Sequence, residues 1–350
     1  MFLYRFRLKP LPLPLPFHKP LFVQITKMST TSTAQANIRQ WASKDGEFRR
    51  QVSSFRDSVS RDPNAQFAAE PNRYHLYISW ACPWAHRTAI VRQLKGLDKI
   101  IGLSVVDFLM LDKGWKFSTS EETPGAIPDT VNNAQYIREV YFKANPNYDA
   151  RFTVPVLWDK KLNTIVNNES SEIIRMFNEE FNDLIDNEEQ KKLNYYPENL
   201  RGEIDEINEW IYDTVNNGVY KSGFATTQAA YERNVYPLFE SLDRIEKILS
   251  TNEWLVGGVL TEADIRLWTT IVRFDPVYVG HFKCNLKTIE KDYPNILRWA
   301  RQLYQIPGAA STVHMDHIKG HYYRSHTQIN PTGVVPVSNG PDLSKPIIKS

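Results

Sequence analysis

Apolar and polar positions along this chain follow two different periods, one giving way to the other near its middle. Tyr74-His75-Leu76-Tyr77-Ile78-Ser79 is aromatic, β-rich and roughly alternating, which predicts a strand. A turn over residues 80–83 then leads into a helical segment over residues 84–94. Residues 100–106 form a short apolar run and predict a buried strand. Thr153-Val154-Pro155-Val156-Leu157-Trp158 and Thr164-Ile165-Val166, joined by a turn over residues 159–163, read as a hairpin. Ile173, Phe177 and Phe181 recur at helical spacing. The order strand, helix, strand, long connection, hairpin, helix is that of an α/β layer. Residues 114–150 carry no pattern that assigns them.

From Leu200 the pattern becomes helical. Leu200, Ile204, Ile207 and Ile211 share one face, and Val235, Leu238, Leu242, Ile245 and Leu249 share another. Gly257-Gly258 breaks the chain, and Thr261-Glu262-Ala263-Asp264 has the spacing of a capping box, with Asp where Glu or Gln is usual. A further helix is predicted over residues 296–303. The expected organisation is an N-terminal extension over residues 1–45, an α/β domain over 46–190, an all-helical domain over 191–329, and an irregular Pro- and Gly-rich tail over 330–350.

Composition narrows the function classes. The 350 residues are 42% hydrophobic and 12% aromatic, ample for a packed core. Forty-two basic against forty acidic side chains leave a net charge of +2, so nothing global draws the chain to nucleic acid. No apolar run approaches the ~20 residues that span a bilayer, so no membrane partner is expected. Two cysteines form no disulfide framework and are too few for a four-thiolate metal site, which points to a reducing, cytoplasmic setting. Residues 1–44 contain no Asp or Glu and carry a Ser/Thr cluster, as mitochondrial presequences do. The alternating Leu-Pro run at residues 11–16 opposes the amphipathic helix that import favours, so a disordered extension is the other reading.

The residue that carries chemistry is Cys82. It stands between the first strand and the first helix, with Pro83 suited to the first helical position. Helix N-terminal N–H groups and the positive dipole end would lower a thiol from ~8.5 into the range ~3.5–7.5, giving a nucleophile at neutral pH. The turn holds no second thiol, so a disulfide formed at Cys82 must be released by an external one. An inert buried cysteine and a metal chelate with His86 are the alternatives; the chelate lacks further ligands, and no metal is expected. Cys284 has no comparable setting and reads as structural.

Cys82-Pro83-Trp84-Ala85-His86-Arg87, Thr153-Val154-Pro155-Val156-Leu157 and Asn168-Glu169-Ser170-Ser171-Glu172-Ile173 together resemble a glutathione transferase of the glutathionyl-hydroquinone reductase type, the Xi class once grouped as omega-like, in its fungal form. Gly114-Trp115-Lys116-Phe117, Asn216-Asn217-Gly218-Val219-Tyr220-Lys221, Arg273-Phe274-Asp275-Pro276-Val277-Tyr278 and His321-Tyr322 extend the resemblance over residues 40–336. It implies a thioredoxin-like α/β N-terminal domain followed by an all-α C-terminal domain. It implies Pro155 as a cis-proline and Val154 as the backbone partner of glutathione. Glu169 and Ser170 would hold its γ-glutamyl end, Arg151 would pair with a glutathione carboxylate, and Trp115 would touch glutathione.

By the same resemblance Tyr220, Tyr278 and Tyr322 line a second substrate pocket, with His281 and His321 as weaker candidates for its wall. The expected reaction reduces a glutathionyl-hydroquinone to the hydroquinone through a Cys82–glutathione mixed disulfide, with Tyr220 as proton donor. Tyr278 and Tyr322 would steady the thiolate or the ring oxygens. Glutathione would be the cosubstrate, with no permanently bound cofactor, and the protein a homodimer. Thioltransferase or dehydroascorbate reductase activity and a non-catalytic interaction module are the alternatives.

Overall fold

The computed structural model describes residue 43 and residues 45–347; apart from Ser43, the acid-free stretch read as a possible presequence lies outside the described residues. A five-stranded sheet forms the first layer, in the order β3-β2-β1-β4-β5. Its strands are β1 (Tyr74–Ile78), β2 (Gly102–Leu111), β3 (Gly114–Phe117), β4 (Val156–Asp159) and β5 (Thr164–Asn167). β1 runs parallel to β2, with Leu76 opposite Leu103, and antiparallel to β4, with Leu76 opposite Leu157. Every residue of β1 is buried, as a central strand covered on both faces requires. The predicted hairpin is β4–β5. Helices α1 (Pro83–Leu94), α2 (Ile137–Ala144) and α3 (Ser170–Glu179) complete this part, α1 packing against α3.

The previously unassigned connection contains β3 and α2. β3 is four residues long, too short for an alternating pattern to declare itself, and it follows β2 after a tight turn in which Gly114 takes φ 81°.

The helical part comprises α4 (Glu188–Lys192), α5 (Arg201–Ile211), α6 (Gly218–Gly223), α7 (Gln228–Leu249), α8 (Glu262–Arg273), α9 (Ile289–Asp292), α10 (Pro294–Tyr304) and α11 (Met315–Ser325). From residue 330 to residue 347 there is neither helix nor strand. Two π-helical turns interrupt the regular pattern, Tyr212–Asn216 and Phe274–Tyr278, closed by Asn217 N–H to Tyr212 O and Val279 N–H to Phe274 O, each at 2.9 Å. Pro276, which has no N–H to give, accounts for the second. No helix among the described residues is long and apolar enough to cross a membrane.

The capping box at the start of α8 is present. Asp264 is fully buried, and burial raises its pKa to about 6 against the pull of its donors. Its Oδ1 accepts from Leu255 N–H and the Trp299 indole, both at 2.9 Å. Its Oδ2 accepts from Thr261 N–H at 2.9 Å and the Thr261 hydroxyl at 3.1 Å. This one carboxylate ties α8 to α10 and to the loop before it. D264A strands four buried donors and is expected to cost at least about 3 kcal/mol in urea unfolding, while D264N, which keeps the Oδ1 pair, should cost about half as much.

Candidate active site

The site is built where β1 hands over to α1. Cys82 caps α1 with extended backbone angles, φ −76° and ψ 119°, and Pro83 opens the helix. Cys82 N–H donates to Ser79 O at 3.2 Å, and His86 N–H to Cys82 O at 2.9 Å, which fixes the turn. The half-buried Cys82 thiol donates to Val154 O at 3.5 Å. The Val154–Pro155 bond is cis, as the resemblance implied. Both cysteines are free thiols, and Cys284 is fully buried, its Sγ turned to Phe282 O at 3.7 Å.

The expected charge behaviour of Cys82 needs correction. Burial pushes its thiol up from the ordinary value rather than down. The N–H groups of Ala85 and Trp84, with Arg273 and Arg50, pull the other way and are outweighed. A helix N-terminus lowers a thiol only as far as desolvation allows, and the desolvation here is tertiary.

A cavity of about 550 Å³ opens at Val154, whose carbonyl Cys82 touches; Cys82 itself is not among its lining residues. Arg151, Val154, Glu169 and Ser170 line it, joined by Trp84, Arg50 and Phe48, which the sequence reading had not assigned to the site. Glu169 caps α3, accepting from Ser171 N–H at 3.1 Å and from the Ser53 hydroxyl at 3.0 Å. Arg151 is half-buried, and burial pulls its guanidinium below its usual value. Arg50 stacks over Trp84 at 4.2 Å and donates from Nε to Asn217 Oδ1 at 2.9 Å. Its segment is fastened to the helical part by Thr226 N–H to Gly46 O at 3.2 Å and by a Glu47–Arg233 ion pair of 2.6 Å.

Trp115 lies outside this lining. It is 6% exposed on β3 and stacks on His321 of α11 with ring centroids 4.6 Å apart, so its face is committed within the protein. Tyr220, Tyr278 and Tyr322 do come together, the Tyr322 hydroxyl lying 2.5 Å from that of Tyr220 and 3.1 Å from that of Tyr278. They are enclosed rather than lining the cavity, covered by Phe48, Phe224 and Phe282. Burial holds all three phenols above their ordinary pKa, and a charge on Cys82 raises Tyr220 further, so Tyr220 keeps its proton beside a thiolate. His281 bonds His326 at 3.1 Å behind this cluster. No group of three or more His, Cys, Asp or Glu fit to hold a metal occurs among the described residues.

A thioredoxin-like sheet carrying a lone cysteine beside a cis-proline, backed by a helical part, defines a cysteine-type glutathione transferase architecture. Residues 81–180 match the family model described as glutathione S-transferase, N-terminal domain, and residues 228–302 match glutathione S-transferase, C-terminal domain. The chain is 55% identical to glutathione S-transferase omega-like 2 of Schizosaccharomyces pombe, over 89% of this chain and 99% of that relative. It is 54% identical to the Escherichia coli glutathionyl-hydroquinone reductase YqjG, over 87% of this chain and 92% of that one. Among solved structures, the Xi glutathione S-transferase of Phanerochaete chrysosporium superposes with a TM-score of 0.81 at 59% identity, over 83% of this chain and 97% of that one. The chain belongs to the glutathione S-transferase family, and within it the likeness is to the Xi class.

The corrected electrostatics are testable. Iodoacetamide alkylation of Cys82 as a function of pH should give a midpoint above the ordinary thiol value of about 8.5. A midpoint below that value contradicts the dominance of burial.

Proposed function

We propose that this chain reduces glutathionyl-hydroquinones to hydroquinones at the expense of glutathione, through a Cys82–glutathione mixed disulfide. The observation that carries this reading is the pairing of one resolvable thiol at Cys82 with three protonated phenols joined through Tyr322. A disulfide exchange site alone needs no such phenols. The named activity of the YqjG relative, and its structure solved with glutathione bound, support the same reading.

Glutathione lies along the cavity in this proposal. Val154 pairs with its cysteinyl backbone, Arg151 with a carboxylate, and Glu169 with Ser170 hold the γ-glutamyl end. Trp115, behind the lining, supports the wall through His321 instead of touching the peptide. The aromatic ring approaches from the side marked by Arg50, Phe48 and Trp84, whose centres lie 5.3, 5.9 and 6.4 Å from the Tyr220 ring.

Tautomerisation moves a phenolic proton to the ring carbon that bears sulfur, with Tyr220 delivering it and the phenol oxygen becoming a carbonyl. The Cys82 thiolate then attacks the glutathionyl sulfur. The S–S bond forms as the C–S bond breaks, and that electron pair is taken up by the carbonyl as a phenolate, which is protonated to hydroquinone. A second glutathione thiolate attacks the mixed disulfide, giving oxidised glutathione and regenerating the Cys82 thiolate. Tyr322 holds the Tyr220 hydroxyl from behind, and Tyr278 in turn holds Tyr322. A raised thiol pKa is compatible with this chemistry, because a more basic thiolate is intrinsically the stronger nucleophile while its fraction is smaller. A cytoplasmic homodimer completes the reading.

C82S should abolish hydroquinone formation while glutathione still binds; substantial turnover by that variant removes Cys82 from the nucleophile role. Y220F should slow hydroquinone release about a hundredfold or more while leaving the later thiol exchange within about twofold. Equal losses in both half-reactions would indicate a plain thioltransferase instead.

A further inference from the structure

Directly behind the Cys82 turn lies a buried guanidinium that pairs with no carboxylate among the described residues. Arg273, the last residue of α8, is fully buried. Its Nη2 donates to Trp80 O at 2.8 Å and its Nε to Ala81 O at 2.9 Å, the two carbonyls that immediately precede Cys82. Its Nη1 donates to Thr269 O at 2.7 Å and to His86 Nδ1 at 3.0 Å.

All four partners are neutral, and the imidazole can be followed to its end. The Thr312 hydroxyl gives its proton to Ala309 O at 2.6 Å, so it accepts from His86 Nε2–H at 2.8 Å. That leaves Nδ1 as the acceptor for Arg273. Burial and Arg273 itself hold His86 far below its usual pKa, so the ring stays uncharged. The buried Arg73 closes on Asp159, whereas Arg273, like the buried Arg87, has no acid partner among the described residues.

A buried charge without a counter-charge is costly and persists where something answers it. We infer that Arg273 is a positioning residue for the Cys82 chemistry: it pins the Trp80 and Ala81 carbonyls so that the turn presents Sγ, and its guanidinium is the standing counter-charge of the thiolate. This rests on the reading of Cys82 as nucleophile. The charged and titratable groups facing Cys82 are Arg50 from the segment before β1, Tyr220 from α6 and Arg273 from α8; Tyr278, Tyr322, His86 and His321 share the field of Arg273. Arg50 lines the cavity and its field is open to salt, whereas Arg273 is sealed from it.

The test uses alkylation of Cys82 by iodoacetamide against pH in the full chain, with C82S as the blank for Cys284. H86D places a carboxylate where Nδ1 now accepts, neutralising Arg273 without moving it; H86N places a neutral carbonyl oxygen there. H86D should slow alkylation near neutrality about tenfold, a midpoint raised by about one pH unit, while H86N stays within about twofold of the parent. R273M should shift the profile the same way, and R273K should restore most of the rate. Identical profiles for H86D and H86N, or a folded R273M with the parent midpoint, overturn the inference, because a purely structural Arg273 predicts both. Should R273M and H86D fail to fold, R273Q, which keeps hydrogen-bond donors without the charge, decides: a midpoint raised by about a full unit supports the counter-charge, and one kept within about half a unit removes it. The readout needs no quinone. A Cys82 that alkylates at no pH in the parent protein would instead remove the nucleophile reading itself.

Discussion

Whether the Cys82 sulfur carries charge is settled by two opposing influences. Desolvation at the junction of β1 and α1 disfavours the thiolate, while the first-turn N–H groups of α1 and two guanidiniums favour it. Everything else in the site takes its place around that balance. The cavity-lining residues bind and orient; the phenols stay protonated because burial disfavours the phenolate, and at Tyr220 a charge on the Cys82 sulfur adds to that.

The helical part thereby does more than cover the sheet. It supplies Arg273 from the end of α8, Tyr220 from α6, Tyr278 from a π-helical turn and Tyr322 from α11. α8 is locked at its other end by Asp264, so the position of the guanidinium behind Cys82 is inherited from a capping box at the opposite end of the helix. π-Helical turns cluster at functional sites, and here one carries Tyr278 and the other ends beside Asn217, which anchors Arg50. Stability and chemistry meet in the same element.

The architecture was readable in the sequence wherever an element buries one face or both. β1, the β4–β5 hairpin, α5, α7 and α10 announce themselves by pattern, and α1 by the turn that precedes it. α11 does not: His317, Ile318, Lys319, Gly320, His321, Tyr322 and Tyr323 are buried on successive positions, so no stripe distinguishes one side. Cys82 does stand where β1 gives way to α1, but the direction of its pKa was not legible, since burial depends on chain segments far away in sequence. Arg50 carried no signal, lying in an irregular segment before the first strand. Arg273 carried one in hindsight: a cation closing the uncharged run Leu267-Trp268-Thr269-Thr270-Ile271-Val272 downstream of the capping box.

The most direct measurement is a single turnover with no free glutathione. The protein is mixed with one equivalent of a glutathionyl-hydroquinone, and hydroquinone release is followed alongside the intact mass of the chain. One equivalent of hydroquinone together with a glutathione adduct mapped to the peptide containing Cys82 is the expected result. Hydroquinone released while the chain keeps its original mass, or an adduct on any other residue, contradicts the account.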